Sequence, residues 1–194
     1  MKDLEIRGAG TLLGTRQSGY ISAIGFSLYC RLLAEAVEEQ KARLSGEKAA
    51  RPKRLPTPTI DLPLTAYIPE DYVADIDTRL SLYQKLAKLE DTEPLEPLAQ
   101  EFIDRFGPLP VEVKNLLYAL KIKLLAGKAG IESITTEDGQ IIIRRFKGVH
   151  FDQQKLEPVL RDGIKVGVTR IMISYKKLGM EWREVLEGVL NKVV

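Results

Sequence analysis

The 194-residue sequence has few of the residues that build disulfide, metal and nucleotide sites. It contains one cysteine, Cys30, and one histidine, His150. A single cysteine excludes an internal disulfide framework and is typical of a reducing cytoplasm. A single histidine leaves no His cluster and no Cys/His zinc site, and there is no P-loop motif to hold a nucleotide. We therefore predict no metal and no cofactor in this chain, and the composition argues against an enzyme.

Long hydrophobic runs are also missing. No apolar run approaches the roughly 20 residues that a membrane-spanning helix needs. The first 20 residues carry two acidic side chains and no hydrophobic signal core. The overall composition, 44% hydrophobic and 29% charged, is ordinary for a soluble folded domain. We expect a cytoplasmic monomer with no contact to a membrane.

Charge is distributed in blocks along the chain, although the net charge is only +2. Residues 1–40 carry −1, residues 41–57 carry +5, residues 58–112 carry −8 and residues 113–194 carry +6. The acidic block is a poor surface for phosphates because like charges repel at short range. The blocks indicate separate modules.

The first 57 residues are predicted to form an arm. Residues 1–19 contain four glycines, which favour a shaped loop over a helix. From residue 20 apolar side chains recur at three- and four-residue steps, which predicts an amphipathic helix. The segment 45–57 is basic and contains prolines, as a linker would. We therefore divide the chain into 1–19, 20–57 and a domain over 58–194.

After the N-terminal loop and helical arm, residues 58–194 are predicted to form a compact α+β domain. Its helices pack on a small, mainly antiparallel sheet. Its helical half contains three helices. The first covers 76–89, the second ends at Phe106, and the third runs from Pro110 to near Gly127 or Gly130. An edge strand precedes them at 59–68, with Pro63 on an unpaired side. Its second half contains a hairpin of 131–135 and 140–145 around Asp138 and Gly139, a short helix at 156–160, a strand at 166–175 and a helix at 181–190.

Two sets of polar residues are candidate functional sites. Arg7 and Gln17 lie in the glycine-rich opening, where they are either incidental loop residues or reach a partner that the small residues let approach. Glu101, Asp104 and Arg105 stand at i, i+3 and i+4, on neighbouring turns of one helix face. Such a set is usually a solvated face, but at a domain interface it can pair specifically, since arginine binds carboxylates with two hydrogen bonds.

Two groups of sequence motifs resemble known bacterial proteins. The opening, DLEIRGAGTLLGTRQSG, is similar to the end of the translocation motif in RecG branch-migration helicases and in transcription-repair coupling factors. The second group is similar only to the C-terminal domain of transcription-repair coupling factors, which RecG helicases lack. It comprises residues 60–63, 66–73, 79–83 and 101–110. The chain therefore resembles the C-terminal region of a transcription-repair coupling factor.

The resemblance implies a role within a larger machine. The parent would be an ATP-driven translocase on double-stranded DNA that displaces stalled RNA polymerase at lesions and recruits the repair protein UvrA. Its ATP and Mg²⁺ would be bound by motor domains outside this chain. Arg7 and Gln17 match the residues that couple ATP turnover to translocation, next to a motor lobe of the same protein.

The resemblance also implies that the domain over 58–194 is a regulator and not an enzyme. It would pack on the N-terminal UvrB-like domain of the same protein, mask the UvrA-binding face and restrain the motor. Glu101, Asp104 and Arg105 would lie on the clamp surface.

An alternative is a DNA-contacting accessory domain that uses the basic linker and the basic C-terminal third. The basic run in and just before the linker comprises Lys41, Arg43, Lys48, Arg51, Lys53 and Arg54. It could contact DNA phosphates, but it lacks interleaved aromatic residues and is first interpreted as a solvated segment. A free-standing enzyme is a third hypothesis, which ATP hydrolysis by the isolated chain would establish. Of the remaining residues, we expect His150 at the surface or at a strand edge, Cys30 as a small buried or half-buried hydrophobic residue of its helix, and Trp182 in the core.

Overall fold

The structure, a computed structural model, describes residues 58–193. A two-residue strand, β1 (Thr59–Ile60), comes first, followed by the helices α1 (Ile76–Ala87), α2 (Leu95–Phe106) and α3 (Val111–Lys128). Strands and shorter helices then alternate to the end of the described chain: β2 (Ile131–Glu137), β3 (Gln140–Arg145), α4 (Gln153–Leu156), β4 (Ile164–Val166), β5 (Arg170–Ser174), α5 (Tyr175–Leu178) and α6 (Trp182–Val193), with single 3-10 turns at Glu157–Val159 and Gly179–Glu181.

Local signals set the ends of the three long helices in the first half. The carboxylate of Asp75 caps α1 by accepting a hydrogen bond from the Thr78 backbone N–H at 2.7 Å. Pro94 precedes α2 and Pro97 lies in its first turn, where backbone N–H groups have no partner inside the helix. Gly107 ends α2 with a φ of 90°, a conformation that favours glycine.

The strands form one mixed sheet in the order β1-β2-β3-β5-β4. β1 runs parallel to β2, and the other neighbours are antiparallel. Asp138 and Gly139 turn the β2–β3 hairpin with φ values of 49° and 81°. Both values are in the left-handed region that a tight hairpin turn requires, which is why an Asp-Gly pair predicts it.

Two hydrophobic cores meet at α3. The helical core lies between the segment 66–73, α1, α2 and the first half of α3, with Leu86, Phe102 and Leu116 fully buried. The sheet core lies between the strands and α6 and also includes Ile122 and Ala126 from the second half of α3. The helix therefore buries side chains against both cores and joins them.

The α+β class is confirmed, and three of the predicted elements differ from the structure. The strand predicted at 59–68 is only β1, and the one predicted at 166–175 is a β4–β5 hairpin. The helix predicted at 156–160 is α4 followed by a 3-10 turn.

Tight turns explain both strand errors. Leu64 donates to the Leu62 carbonyl at 2.7 Å across Pro63, and this turn ends the extended segment. Gly167 donates to the Arg170 carbonyl at 2.8 Å and so reverses the chain inside the predicted strand. β-Branched residues on both sides of this turn made the two strands look like one.

Candidate interdomain contact surface

The side chains of α2 divide into a buried row and a polar flank. Leu95, Leu98 and Phe102 face the helical core. Glu101, Asp104 and Arg105 lie on the flank; Glu101 is half-buried and the other two are exposed. We call these three residues the α2 surface. The shared flank that their spacing predicts is present in the structure.

Glu101 is already paired within the domain. Its carboxylate forms an ion pair with Lys85 of α1 and a second one, 3.2 Å long, with Arg105 of α2. These partners hold the pKa of the Glu101 carboxyl below its ordinary value, with the Lys85 hydrogen bond as the largest cause. Glu101 therefore connects two helices and orients Arg105, whose guanidinium carbon lies 4.9 Å from the centre of the Phe106 ring.

Asp104 differs from its neighbour in having no ion pair within the described residues. Its carboxylate accepts one hydrogen bond, from the Gln100 side chain at 2.9 Å, and the residue is exposed. A neutral amide leaves the negative charge of Asp104 uncompensated. Among the three residues of the α2 surface, Asp104 is the carboxylate most available to a cationic partner.

Lys85 is the member of this network that the sequence analysis missed. It lies 16 residues before Glu101 in the chain, on another helix. Helical spacing finds neighbours at three and four residues only, so no local pattern could connect the two. The contact depends on the packing of α1 against α2.

Tyrosines and an arginine from the family-like motifs hold the α2 surface in place. The Tyr72 hydroxyl lies 3.1 Å from the Phe102 carbonyl and 2.9 Å from the Gly107 carbonyl, at the end of α2. The Tyr83 hydroxyl accepts a hydrogen bond from the Ile68 N–H at 2.7 Å. The segment 66–73 is thereby attached to both α1 and α2.

Arg79, at the start of α1, adds a further contact between α1 and the end of the segment 66–73. Its guanidinium donates to the carbonyls of Val73 and Ala74 at 2.7 and 3.1 Å. The motif residues Tyr72, Arg79 and Tyr83 thus have structural roles behind the α2 surface.

Arg145 of β3 forms a second polar cluster, in the sheet region. Its guanidinium donates to the carbonyls of His150 and Ala129 at 2.8 Å and to that of Val193 at 3.4 Å. Ala129 follows α3 and Val193 ends α6, so the cation lies at two helix C-termini, where the helix dipoles favour positive charge. The cluster therefore fastens helix ends to the sheet.

Of the other residues singled out in the sequence, only His150 and Trp182 lie in the part of the chain that the structure describes. His150 is exposed and Trp182 is buried, as predicted. Arg7, Gln17, Cys30 and the segments 1–19 and 20–57, including the basic linker, lie outside the described residues. Between residues 58 and 193, no group of three metal-ligating side chains is placed to hold an ion, and no helix is long and apolar enough to cross a membrane.

A family model and two curated relatives match this chain, and all three point to the same family. A family model described as TRCF domain matches residues 62–156. A transcription-repair-coupling factor of Staphylococcus haemolyticus is 42% identical over 141 residues, which is 73% of this chain and 12% of the relative. One from Rickettsia conorii is 38% identical over 156 residues, which is 80% of this chain and 14% of the relative.

A solved structure supports the fold. The crystal structure of a C-terminal domain of transcription-repair coupling factor superposes with a TM-score of 0.60 at 24% identity and covers 71% of this chain and 91% of that one. The chain spans only 12–14% of the length of the two curated relatives. The chain therefore belongs to the transcription-repair-coupling factor family, to its C-terminal region, and carries a TRCF domain.

Proposed function

We propose that this chain contains the non-catalytic regulatory module of a DNA translocase that couples transcription to repair. In this proposal the α2 surface clamps onto the N-terminal UvrB-like domain of the same protein, masks its UvrA-binding face and restrains the motor. The parent protein displaces stalled RNA polymerase at lesions in double-stranded DNA and recruits excision repair through UvrA.

The observation that carries the proposal is the exposed, uncompensated carboxylate of Asp104 beside a prearranged ion pair. Arg105 is held by Glu101, which is held in turn by Lys85. Little side-chain freedom remains to be lost when a partner binds there, which favours specific recognition. A partner that fits this surface presents a cation to Asp104 and an acceptor to Arg105.

Charge reversal at Asp104 would open the clamp more than it would harm the fold. An exposed ion pair contributes about 0–1 kcal/mol, and removing one member of a buried pair costs about 3–5 kcal/mol. A partly dehydrated interface lies between these limits. A loss of about 2 kcal/mol would shift the closed state toward the open one by roughly thirtyfold.

The test is Asp104→Lys in the intact parent protein, with Glu90→Lys as the matched control. Glu90 is exposed and has no ion pair within residues 58–193. We expect Asp104→Lys to raise UvrA affinity and ATPase activity while the melting temperature of the present chain stays unchanged. The control should change none of the three.

Two outcomes would contradict the clamp. Unchanged UvrA affinity with an unchanged melting temperature would mean that the α2 surface is only solvated. A large fall in the melting temperature would mean that Asp104 stabilises the fold of its own domain. Capture of the separate UvrB-like domain by this chain, weakened by Asp104→Lys, is a direct second measurement.

The motor-coupling role of Arg7 and Gln17 is a separate proposal, which rests on the sequence resemblance. Alanine at either position in the parent should slow DNA translocation and polymerase displacement. Nucleotide binding should persist, because the resemblance assigns it to motor segments outside this chain. Loss of nucleotide binding itself would overturn the coupling role.

A further inference from the structure

The sheet has an outer face that takes no part in either hydrophobic core. The inward side chains of its central strands, Ile141 and Ile143 of β3 and Ile171 and Ile173 of β5, are fully buried. Their sequence neighbours point to the opposite side because side chains alternate along a strand. We call this set the outer sheet face: Ser133, Thr135, Glu137, Gln140, Ile142, Arg144, Lys165, Arg170, Met172 and Ser174.

Two arginines are directly opposite each other on this face. Arg144 of β3 pairs in register with Arg170 of β5. Side chains in such a position start about 5 Å apart, and like charges there destabilise the sheet. Glu137 lies 3.4 Å from Arg144, but the guanidinium of Arg170 is exposed and has no ion pair within residues 58–193.

Lys165 extends the cationic row to a third strand. It is opposite Met172, which is two residues along β5 from Arg170, so all three cations share one face. Lys165 is exposed and also has no ion pair among the described residues. The outer sheet face therefore carries three cations and one carboxylate, with the Ser133 hydroxyl beside them. The Thr135 hydroxyl already donates to Glu137 and accepts from Arg144.

We propose that the outer sheet face binds the phosphate backbone of duplex DNA without regard to sequence. Guanidinium, ammonium and hydroxyl groups are the usual ligands of backbone phosphates. Three adjacent strands place the cations about 5–12 Å apart, which suits a polyanion with closely spaced charges.

An acidic protein partner fits this face less well. The core of a protein–protein interface is enriched in aromatic residues, and the outer sheet face has none among its members. Here the two apolar residues are sheltered, since Ile142 is buried and Met172 is half-buried. The acidic block over 58–112 would also repel DNA and so orient the duplex toward the sheet. This proposal does not depend on the clamp.

Three phosphate contacts set a measurable salt dependence. Each neutralised phosphate contributes about −0.9 to the slope of log K against log salt, so three give about −2.7. Affinity should therefore fall on the order of 40-fold between about 50 and about 200 mM salt. Removing two of the three contacts should leave a slope near −0.9.

The experiment measures fluorescence anisotropy of a labelled duplex of about 20 base pairs, titrated with the full chain at several salt concentrations. The test variant carries Lys165→Glu and Arg170→Glu. The matched control carries Lys88→Glu and Lys114→Glu, which reverse two exposed lysines in the helical part of the domain. Melting temperatures should be alike for all three proteins.

The expected result is a loss of affinity of more than tenfold and a shallower salt slope for the test variant only. Equal losses in both variants would mean that bulk charge and not this face attracts DNA, which overturns the proposal. So would the absence of binding by the unaltered chain at low salt.

A further variant distinguishes binding by the outer sheet face from binding by the basic linker. Reversing Lys48, Arg51 and Lys53 together leaves the outer sheet face intact. The proposal requires that the test variant still weakens binding in this background. The proposal is wrong if only the linker substitutions weaken duplex binding. It is also wrong if polyglutamate binds the outer sheet face and the duplex does not.

Discussion

The helical and sheet regions of this domain carry opposite charge although they share one helix. Residues 58–112 carry −8 and residues 113–194 carry +6. The helical region exposes a carboxylate, Asp104, next to a fixed ion pair, whereas the sheet region exposes the cations Lys165 and Arg170. The two regions therefore present surfaces of opposite charge, which favour partners of opposite sign.

The two regions are also joined by polar contacts around α3. Asn115 donates to the Thr65 carbonyl at 2.8 Å and accepts from the Arg183 guanidinium at 2.9 Å. The Tyr118 hydroxyl donates to the Arg183 carbonyl, and its ring meets Trp182 edge-on with centroids 5.9 Å apart. We expect the two regions to unfold together for this reason.

Phe102→Ala is the strongest test of whether the helical and sheet regions unfold together. Phe102 is fully buried in the helical core, and its loss should cost about 3–5 kcal/mol of unfolding free energy. Trp182, the single tryptophan, reports on the sheet core. Its fluorescence midpoint in denaturant should fall with the circular-dichroism midpoint; a tryptophan transition that stays in place would show that the regions unfold separately.

Arg145→Met should have the largest polar effect within the sheet region. It leaves the carbonyls of Ala129 and His150 without their donor, which should lower the unfolding free energy by about 2–3 kcal/mol. Arg144→Met is the matched control, since its ion pair with Glu137 is exposed and contributes about 0–1 kcal/mol. Equal effects of the two substitutions in urea denaturation would rule out the role assigned to Arg145.

Asn115→Ala tests the polar connection between the regions. Asn115 is 6% exposed, and its removal leaves the Thr65 carbonyl without this donor and Arg183 without its acceptor. We expect a loss of about 1–2 kcal/mol. In a double-mutant cycle with Arg183→Ala the two losses should be less than additive; simple additivity would mean that the pair is not coupled.

Glu101→Gln should have the smallest effect and depend on pH. The folded-state pKa of Glu101 lies below its ordinary value of 4.5, so the ionised carboxylate stabilises the fold above that pH. This stability is lost as the pH falls through the lowered pKa. The substitution should therefore cost less than about 1 kcal/mol at neutral pH and nothing in strong acid. A cost that persists in acid would point to packing instead of charge.

Short-range sequence signals account for the local elements of this domain. The α1 cap at Asp75, the end of α2 at Gly107 and the hairpin turn at Asp138 and Gly139 are each formed by residues a few positions apart in the chain. The flank shared by Glu101 and Asp104 follows from the helical repeat in the same way. The family motifs also lie in the chain itself and identified its relatives.

Contacts between residues far apart in the chain depend instead on how the elements pack. Lys85 reaches Glu101 because α1 packs beside α2, and Arg144 faces Arg170 because β3 lies next to β5. The parallel pairing of β1 with β2 joins segments more than 70 residues apart. Such contacts depend on how elements pack and on strand register, which short-range periodicity does not encode. The charges that distinguish the two surfaces were visible in the sequence, but the residues that pair with those charges were not.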